Sequence, residues 1–143
     1  MFHIYGMCTE AYKNVLQEQQ EAGNIIYHGY TKDVIGVHKQ SACTIHPSFY
    51  PEGMSNVLLE SAASGRPVIT TDRAGCRETV EDGVTGYMVR QQNSQDLIDA
   101  VEKFLSLTWE ERRQMGLAGR RKVEKEFDRN IVVNKYLAEV EKA

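Results

Sequence analysis

Short apolar runs alternate with amphipathic stretches up to about position 90, and beyond it only the helical pattern continues. "FHIYG" (2–6), "NIIYHG" (24–29), "ACTIHP" (42–47), "PVITT" (67–71) and "TGYMVR" (85–90) read as strands, being rich in β-branched and aromatic residues and bordered by Gly or Pro. Between them the apolar spacing predicts helices. One runs from an N-cap at Thr9 to about Glu21, a short one covers 32–41, and one starts at Ser55 and is stopped by Gly65 and Pro67. "CRETVEDG" (76–83) supplies a helical turn or two. From Ser94 to the end the chain reads as helix. Thr108-Trp109-Glu110-Glu111 forms a capping-box pattern at the head of "EERRQMGLAGRRKVEKEF", and a last amphipathic stretch spans 128–142.

Repeated strand–helix alternation with apolar strands predicts a parallel sheet covered on both faces, a three-layer α/β fold of Rossmann-like type. The 143 residues suit one domain, and neither an internal repeat nor a linker divides them, so 1–143 is expected to be a single unit with a helical tail from about 94. The hydrophobic share of 41% and charged share of 26% are those of an ordinary globule. A net charge of −3 disfavours nucleic acid as a partner. Cys8, Cys43 and Cys76 are odd in number and lack metal-ligand spacing, so they read as free thiols in a reducing, cytoplasmic compartment. The N-terminus lacks the pattern of a signal peptide, and no apolar run approaches the roughly 20 residues that span a bilayer.

In open parallel sheets, ligands bind beyond the carboxyl ends of the strands. "HPSFYPEGMS" follows the third strand and "TDRAGCRE" the fourth. In the first of these loops Gly53 permits close backbone approach, and the N–H groups from Gly53 to Val57 point out of the start of a helix, a favourable place for phosphate. Ordinary water on those donors is the other reading. Within the helix, Asn56, Glu60 and Ser64 form one stripe, four apart, on otherwise apolar or small faces. Glu60 then stands about 7–8 Å above Ser55, within reach of a ribose diol past a diphosphate. A solvent-facing stripe is the competing reading, and spacing does not separate the two. Glu52 sits in the loop beside Pro51, Phe49 and Tyr50, placed to accept hydrogen bonds from sugar hydroxyls or to stabilise developing positive charge.

Glu52, seven residues, then Glu60, within "PSFYPEGMSNVLLESAASGRPVITTDRAGCRE", resembles the E-x7-E signature of retaining GT-B glycosyltransferases, family 4 (group 1), and in particular bacterial enzymes of capsule and lipopolysaccharide synthesis. "EDGVTGYMV" and "MGLAGRRKVEKEFD" also resemble the C-terminal, donor-binding half of that family. The resemblance implies that Glu60 binds the donor ribose and that Glu52 contacts the donor sugar as the catalytic carboxylate. Gly53, Met54 and Ser55 would cradle sugar and phosphates, with Asn56 and Val57 presenting amides to the diphosphate. Further candidates are His46, Gly75 and Arg77. His46 reads first as structural, Gly75 as a point of close packing, and Arg77 (like Arg73) as either a phosphate contact or a solvated side chain.

The implied reaction moves a sugar from a nucleotide diphosphate sugar, a UDP-sugar above all, to a glycan or lipid-linked acceptor with retention. It needs no metal, and no DxD-type pair is present in a suitable loop. The resemblance further implies that the acceptor-binding N-terminal domain and the first strand–helix unit of the C-terminal domain are missing, leaving weak donor binding and no transfer by this chain alone. In a sheet ordered 3-2-1-4-5-6 the missing strand is the central one. The five strands are therefore expected to close up, or another segment to fill the gap. A non-catalytic nucleotide-sugar-binding module and a GT-B-fold epimerase are the alternatives. A dinucleotide oxidoreductase is disfavoured because no strand is followed by GxGxxG. The basic residues of the tail (Arg112, Arg113, Arg120, Arg121, Lys122, Lys125) are a candidate for peripheral membrane contact, but their interleaved Glu residues favour a solvated face.

Overall fold

The structure, a computed structural model, describes residues 1–51 and 53–142. It divides into two compact units, Met1–Val34 and Ile35–Ala143.

In the first unit, β1 (Phe2–Tyr5) and β2 (Ile25–Gly29) pair in parallel and α1 (Glu10–Glu21) makes the crossover. Thr9 holds the N-cap position of α1, although its side chain makes no capping bond. The register runs Phe2↔Ile25, His3↔Ile26, Ile4↔Tyr27 and then slips to Tyr5↔Gly29, leaving His28 as the extra residue of a bulge. The carboxyl end is tied by short bonds. Gly6 N–H donates to Gly29 O at 2.9 Å, and the Tyr27 hydroxyl donates to Gly6 O at 2.8 Å. Gly6 and Gly29 both have positive φ, 133° and 67°, which only glycine adopts without cost. Helix and sheet meet through half-buried Leu16, Ile25 and Tyr27, and no residue of α1 is fully buried.

The second unit begins with most of α2 (Val34–Gln40) and contains β3 (Thr44–His46), α3 (Asn56–Ala63), β4 (Val68–Thr71) and β5 (Gly86–Val89). Between β4 and β5 lies a single 3₁₀ turn, Arg77–Thr79. The tail is α4 (Ser94–Ser106), α5 (Trp109–Glu126) and α6 (Arg129–Val140). The strands are parallel in the order β3-β4-β5.

All four residues of β4 are buried, as a central parallel strand requires. Its alternate residues serve two clusters. Val68 packs with Leu58, Cys76 and Val80, whereas Ile69 packs with Tyr87, Val89, Ala100, Phe104 and Met115. Two glycines permit the layers to touch. A Cβ on Gly86 would overlap the Val68 carbonyl oxygen, and one on Gly116 would overlap that of Gly65, so α5 lies directly on the end of α3. The capping box is present: Glu111 N–H donates to Thr108 Oγ1 at 3.2 Å, and Thr108 N–H donates to Glu111 Oε2 at 2.7 Å. Helix α6 has no buried residue.

One expectation is corrected. The five strands are bonded as two sheets, β1-β2 and β3-β4-β5, and among the described residues no sixth strand joins them.

Candidate functional site

The site is built from the two loops beyond β3 and β4. Three hydrogen bonds stitch them together. The Thr71 hydroxyl, at the end of β4, donates to Ser48 O. Arg73 Nε donates to Tyr50 O at 2.7 Å, and Ser55 N–H donates to Gly75 O at 2.8 Å. Glu52 lies outside the described residues, but its flanks at Tyr50 and Ser55 are both anchored to the second loop.

The second loop is itself braced. Gly75 turns with φ 88°, and its N–H donates to Glu78 Oε2 at 2.8 Å. Arg73 Nη1 donates to Gln91 Oε1 at 3.0 Å, and Gln91 Nε2 donates to Asp72 O at 2.9 Å. Arg77, a candidate for phosphate, is exposed, and its Nε lies 3.2 Å from Asp72 Oδ1. His46 is half-buried, and its carbonyl accepts from the Thr70 hydroxyl at 2.8 Å.

Ser55 is buried and holds the N-cap position of α3, but its side chain makes no capping bond. The loop uses its backbone N–H instead, while Ser55 O accepts from Leu59 N–H at 3.1 Å. Helix geometry leaves the N–H groups of Asn56, Val57 and Leu58 without intrahelical acceptors. Gly53, Met54, Asn56 and Val57 are exposed at this end. The helix buries Leu58, Ser61 and Ala62, and Asn56 and Glu60 lie exposed on the other side with Ser64 half-buried. The stripe carrying Glu60 is therefore open, and a ligand on the first turn of α3 would meet the Glu60 carboxylate further along the helix. Anion-binding amides followed by an exposed carboxylate suit a phosphate joined to a diol.

The family model for the glycosyl transferases group 1 matches residues 1–106 of this sequence. The chain belongs to that family. It is 29% identical over 109 residues to the capsular polysaccharide biosynthesis glycosyltransferase CapM of Staphylococcus aureus, covering 76% of this chain and 28% of CapM. It is 30% identical over 112 residues to the spore coat protein SA of Bacillus subtilis, covering 78% of this chain and 29% of that protein. Among solved structures, Anabaena Alr3699/HepE in complex with UDP and glucose superposes with a TM-score of 0.79 at 20% identity, covering 99% of this chain and 40% of that one. The fold is thus that of part of a GT-B glycosyltransferase. The chain spans less than a third of the length of these two curated relatives.

Beneath the stripe, this group 1 chain carries a polar network that the loop motif did not announce. Ser61 Oγ donates to Thr44 Oγ1 at 2.8 Å, and Thr44 Oγ1 lies 3.2 Å from His38 Nδ1. Arg66 Nε donates to His38 O at 2.8 Å, and its Nη2 donates to Lys39 O at 2.8 Å. His38 is 3% exposed, and its Nε2 has no hydrogen-bond partner among the described residues. Burial lowers its pKa most; the Glu60 charge opposes that shift and the Arg66 charge adds to it. Cys43 is held as a thiol by burial, its pKa raised to about 11 against a smaller pull from Arg112, so it is a packing residue and not a nucleophile. Among the described residues no disulfide joins Cys8, Cys43 and Cys76.

Sequence reading missed Thr71, Arg73 and Glu78 as the braces of the site. Only Glu78 left a trace, an acid three residues after a glycine that must turn. On α5, three of the six basic residues pair with acids one turn away: Arg113 with Glu110, Arg120 with Glu124 and Lys122 with Glu126. Among the described residues no helix is long and apolar enough to cross a membrane, and no cluster of three metal-ligating side chains is present.

Proposed function

We propose that this chain is the donor-binding part of a retaining glycosyltransferase that moves a sugar from a UDP-sugar to a glycan or lipid-linked acceptor of a bacterial surface polysaccharide. The observation that carries this reading is the open first turn of α3, locked to the neighbouring loop through Ser55 and Gly75, with Glu60 exposed on the same helix. The amides of Asn56 and Val57 hold the diphosphate, with Gly53, Met54 and Ser55 shaping the cradle. Glu60 accepts from the ribose hydroxyls, and Glu52 faces the sugar that moves. Negative charge grows on the leaving diphosphate, and fixed amide dipoles stabilise it without reorganisation, so the site works without a metal. Family membership, and the UDP and glucose bound to HepE, support a nucleotide sugar as ligand. The capsular assignment of CapM supports the class of product. Acceptor binding and turnover require a second domain, and the chain alone binds donor weakly in the cytoplasm.

Titration of UDP into the chain by calorimetry tests the nucleotide site. Losing hydrogen bonds to a charged group costs about 1.5–3 kcal/mol, so Glu60→Ala weakens UDP by roughly 10–100-fold. Unchanged affinity would contradict the ribose assignment. In a two-domain enzyme, Glu52→Gln lowers turnover far more than it weakens UDP.

A further inference from the structure

His38 ends a chain of hydrogen bonds that reaches α3 from beneath. Its ring sits on α2, 3% exposed, and Nε2 has no hydrogen-bond partner among the described residues. An orphaned buried polar atom costs stability, and the bond that offsets it is at the other ring nitrogen.

The directions of these bonds assign the tautomer. Ser61 has one hydroxyl proton and two acceptors, Thr44 Oγ1 at 2.8 Å and Arg66 O at 3.4 Å. The shorter contact has the length of a hydroxyl bond and the longer one does not, so the proton goes to Thr44. Thr44 then turns its own proton to His38 Nδ1, 3.2 Å away. Nδ1 is therefore an acceptor, and the neutral ring carries its proton on Nε2. With a proton on Nδ1 instead, Thr44 would accept from both sides and its own proton would have no acceptor in the chain.

A second proton on the ring reverses the chain. Nδ1–H donates to Thr44, Thr44 to Ser61, and Ser61 to Arg66 O, across a gap of 3.4 Å. A hydroxyl bond is about 2.8 Å long, so closing the gap moves Ser61. Ser61 is fully buried on α3 and directly follows the exposed Glu60, so the helix carries that carboxylate along with it. Glu60 on α3 and Arg66 between α3 and β4 are the charged groups that act on the ring. Lys39 follows it on α2, and His46 ends β3 two residues after Thr44. Burial opposes the second proton most and Arg66 adds to that, whereas Glu60 favours it.

We propose that His38 is a positioning residue for the donor site: through Thr44 and Ser61 its neutral ring fixes the setting of α3, and protonation of the ring shifts α3 and Glu60 with it. That this setting matters to a nucleotide sugar rests on the reading above; the coupling of His38 to α3 does not.

NMR of the isotope-labelled chain tests the coupling. At about pH 7.5 the imidazole nitrogen shifts of His38 should report the Nε2–H tautomer, a measurement that needs no variant; the Nδ1–H tautomer would overturn the proposal. As pH falls toward about 5, the amide shifts of Asn56–Glu60 should move with the same midpoint as the His38 ring. His38→Asn keeps an acceptor in the place of Nδ1 but takes no proton, so in that variant these amides should stay where the wild-type chain has them at the higher pH. Thr44→Val interrupts the chain, and there the amides should be displaced at the higher pH already and follow no His38 midpoint. Amides that ignore the ring in the wild-type chain, or that keep their pH response in His38→Asn, would each overturn the proposal, the second by assigning the response to Glu60 or His46.

UDP-glucose is the probe of the donor site, because its diphosphate is esterified at both ends and does not titrate in this range. Its affinity is expected to fall about fivefold over the same pH range, the worth of one hydrogen bond, and to stay level in His38→Asn. Binding without pH dependence would show that His38 does not position the donor site. If UDP-glucose does not bind at any pH while the coupled amide shifts appear, only the nucleotide reading fails.

Discussion

Met1–Val34 and Ile35–Ala143 are written in the same alphabet of strand, crossover helix and parallel strand, yet they differ in what surrounds the strands. In the second unit, β4 has a strand on either side and packed side chains on both faces, and every one of its residues is buried. In the first, β1 and β2 pair with each other beside α1, and His3, Tyr5, Ile26 and His28 are exposed. The His28 ring lies 4.4 Å from that of Tyr5, so even the bulge is supported by ring contacts at the surface. The lesson is that hydrophobic periodicity specifies an element, whereas burial depends on the layers laid against it. Two strands and one helix are marginal by themselves, and a central parallel strand is not.

The sharpest way to break the comparison is to cut the larger core. Phe104→Ala removes a ring that is 2% exposed from the cluster around Ile69 and Tyr87. A loss of about 3–5 kcal/mol is expected, read as a fall in the urea midpoint. Next is a clash between layers. Gly86→Ala forces a methyl group against the Val68 carbonyl and costs about 1–3 kcal/mol or more by the same measurement; a neutral result would show that β4 and β5 part easily.

A smaller, conditional effect comes from His38. Its folded pKa is lowered, mainly by burial, so as pH falls below the usual histidine value of about 6.5 the unfolded chain takes up the proton first. Stability contributed by the neutral ring is present above that pH and is lost as pH falls through the folded pKa. His38→Gln should flatten the dependence of the urea midpoint between pH 7.5 and 5, and an unaltered slope would assign the acid sensitivity elsewhere. The smallest effect belongs to the first unit. Leu16→Ala should cost under about 1 kcal/mol, because Leu16 is only half-buried. Amides of β1 and β2 should exchange with deuterium well before those of β4.

Much of this was legible in the chain itself. Val-Ile-Thr-Thr between Pro67 and Asp72 reads as a buried strand because both of its faces are apolar or small, and Thr108–Glu111 reads as a cap because its bonds span only three residues. The spacing of Glu52 and Glu60 was readable as a candidate site for the same reason: they are neighbours along the chain. Ser55 shows where this stops. Its type and position predict a side-chain cap, but the bond it makes is from its backbone to Gly75, twenty residues away in sequence. Thr71, Arg73 and Glu78 brace the site through partners chosen by topology, and no local pattern encodes them.

The sequence by itself determined the elements, their parallel sense and the family, because each depends on neighbours along the chain. Only the tertiary structure decided that the strands bond as two sheets, that Gly86 and Gly116 must be glycine, and that Glu60 lies on the open side of α3. Those facts depend on atoms brought together from distant positions, where packing and hydrogen-bond satisfaction select one arrangement from many that the same local preferences would allow.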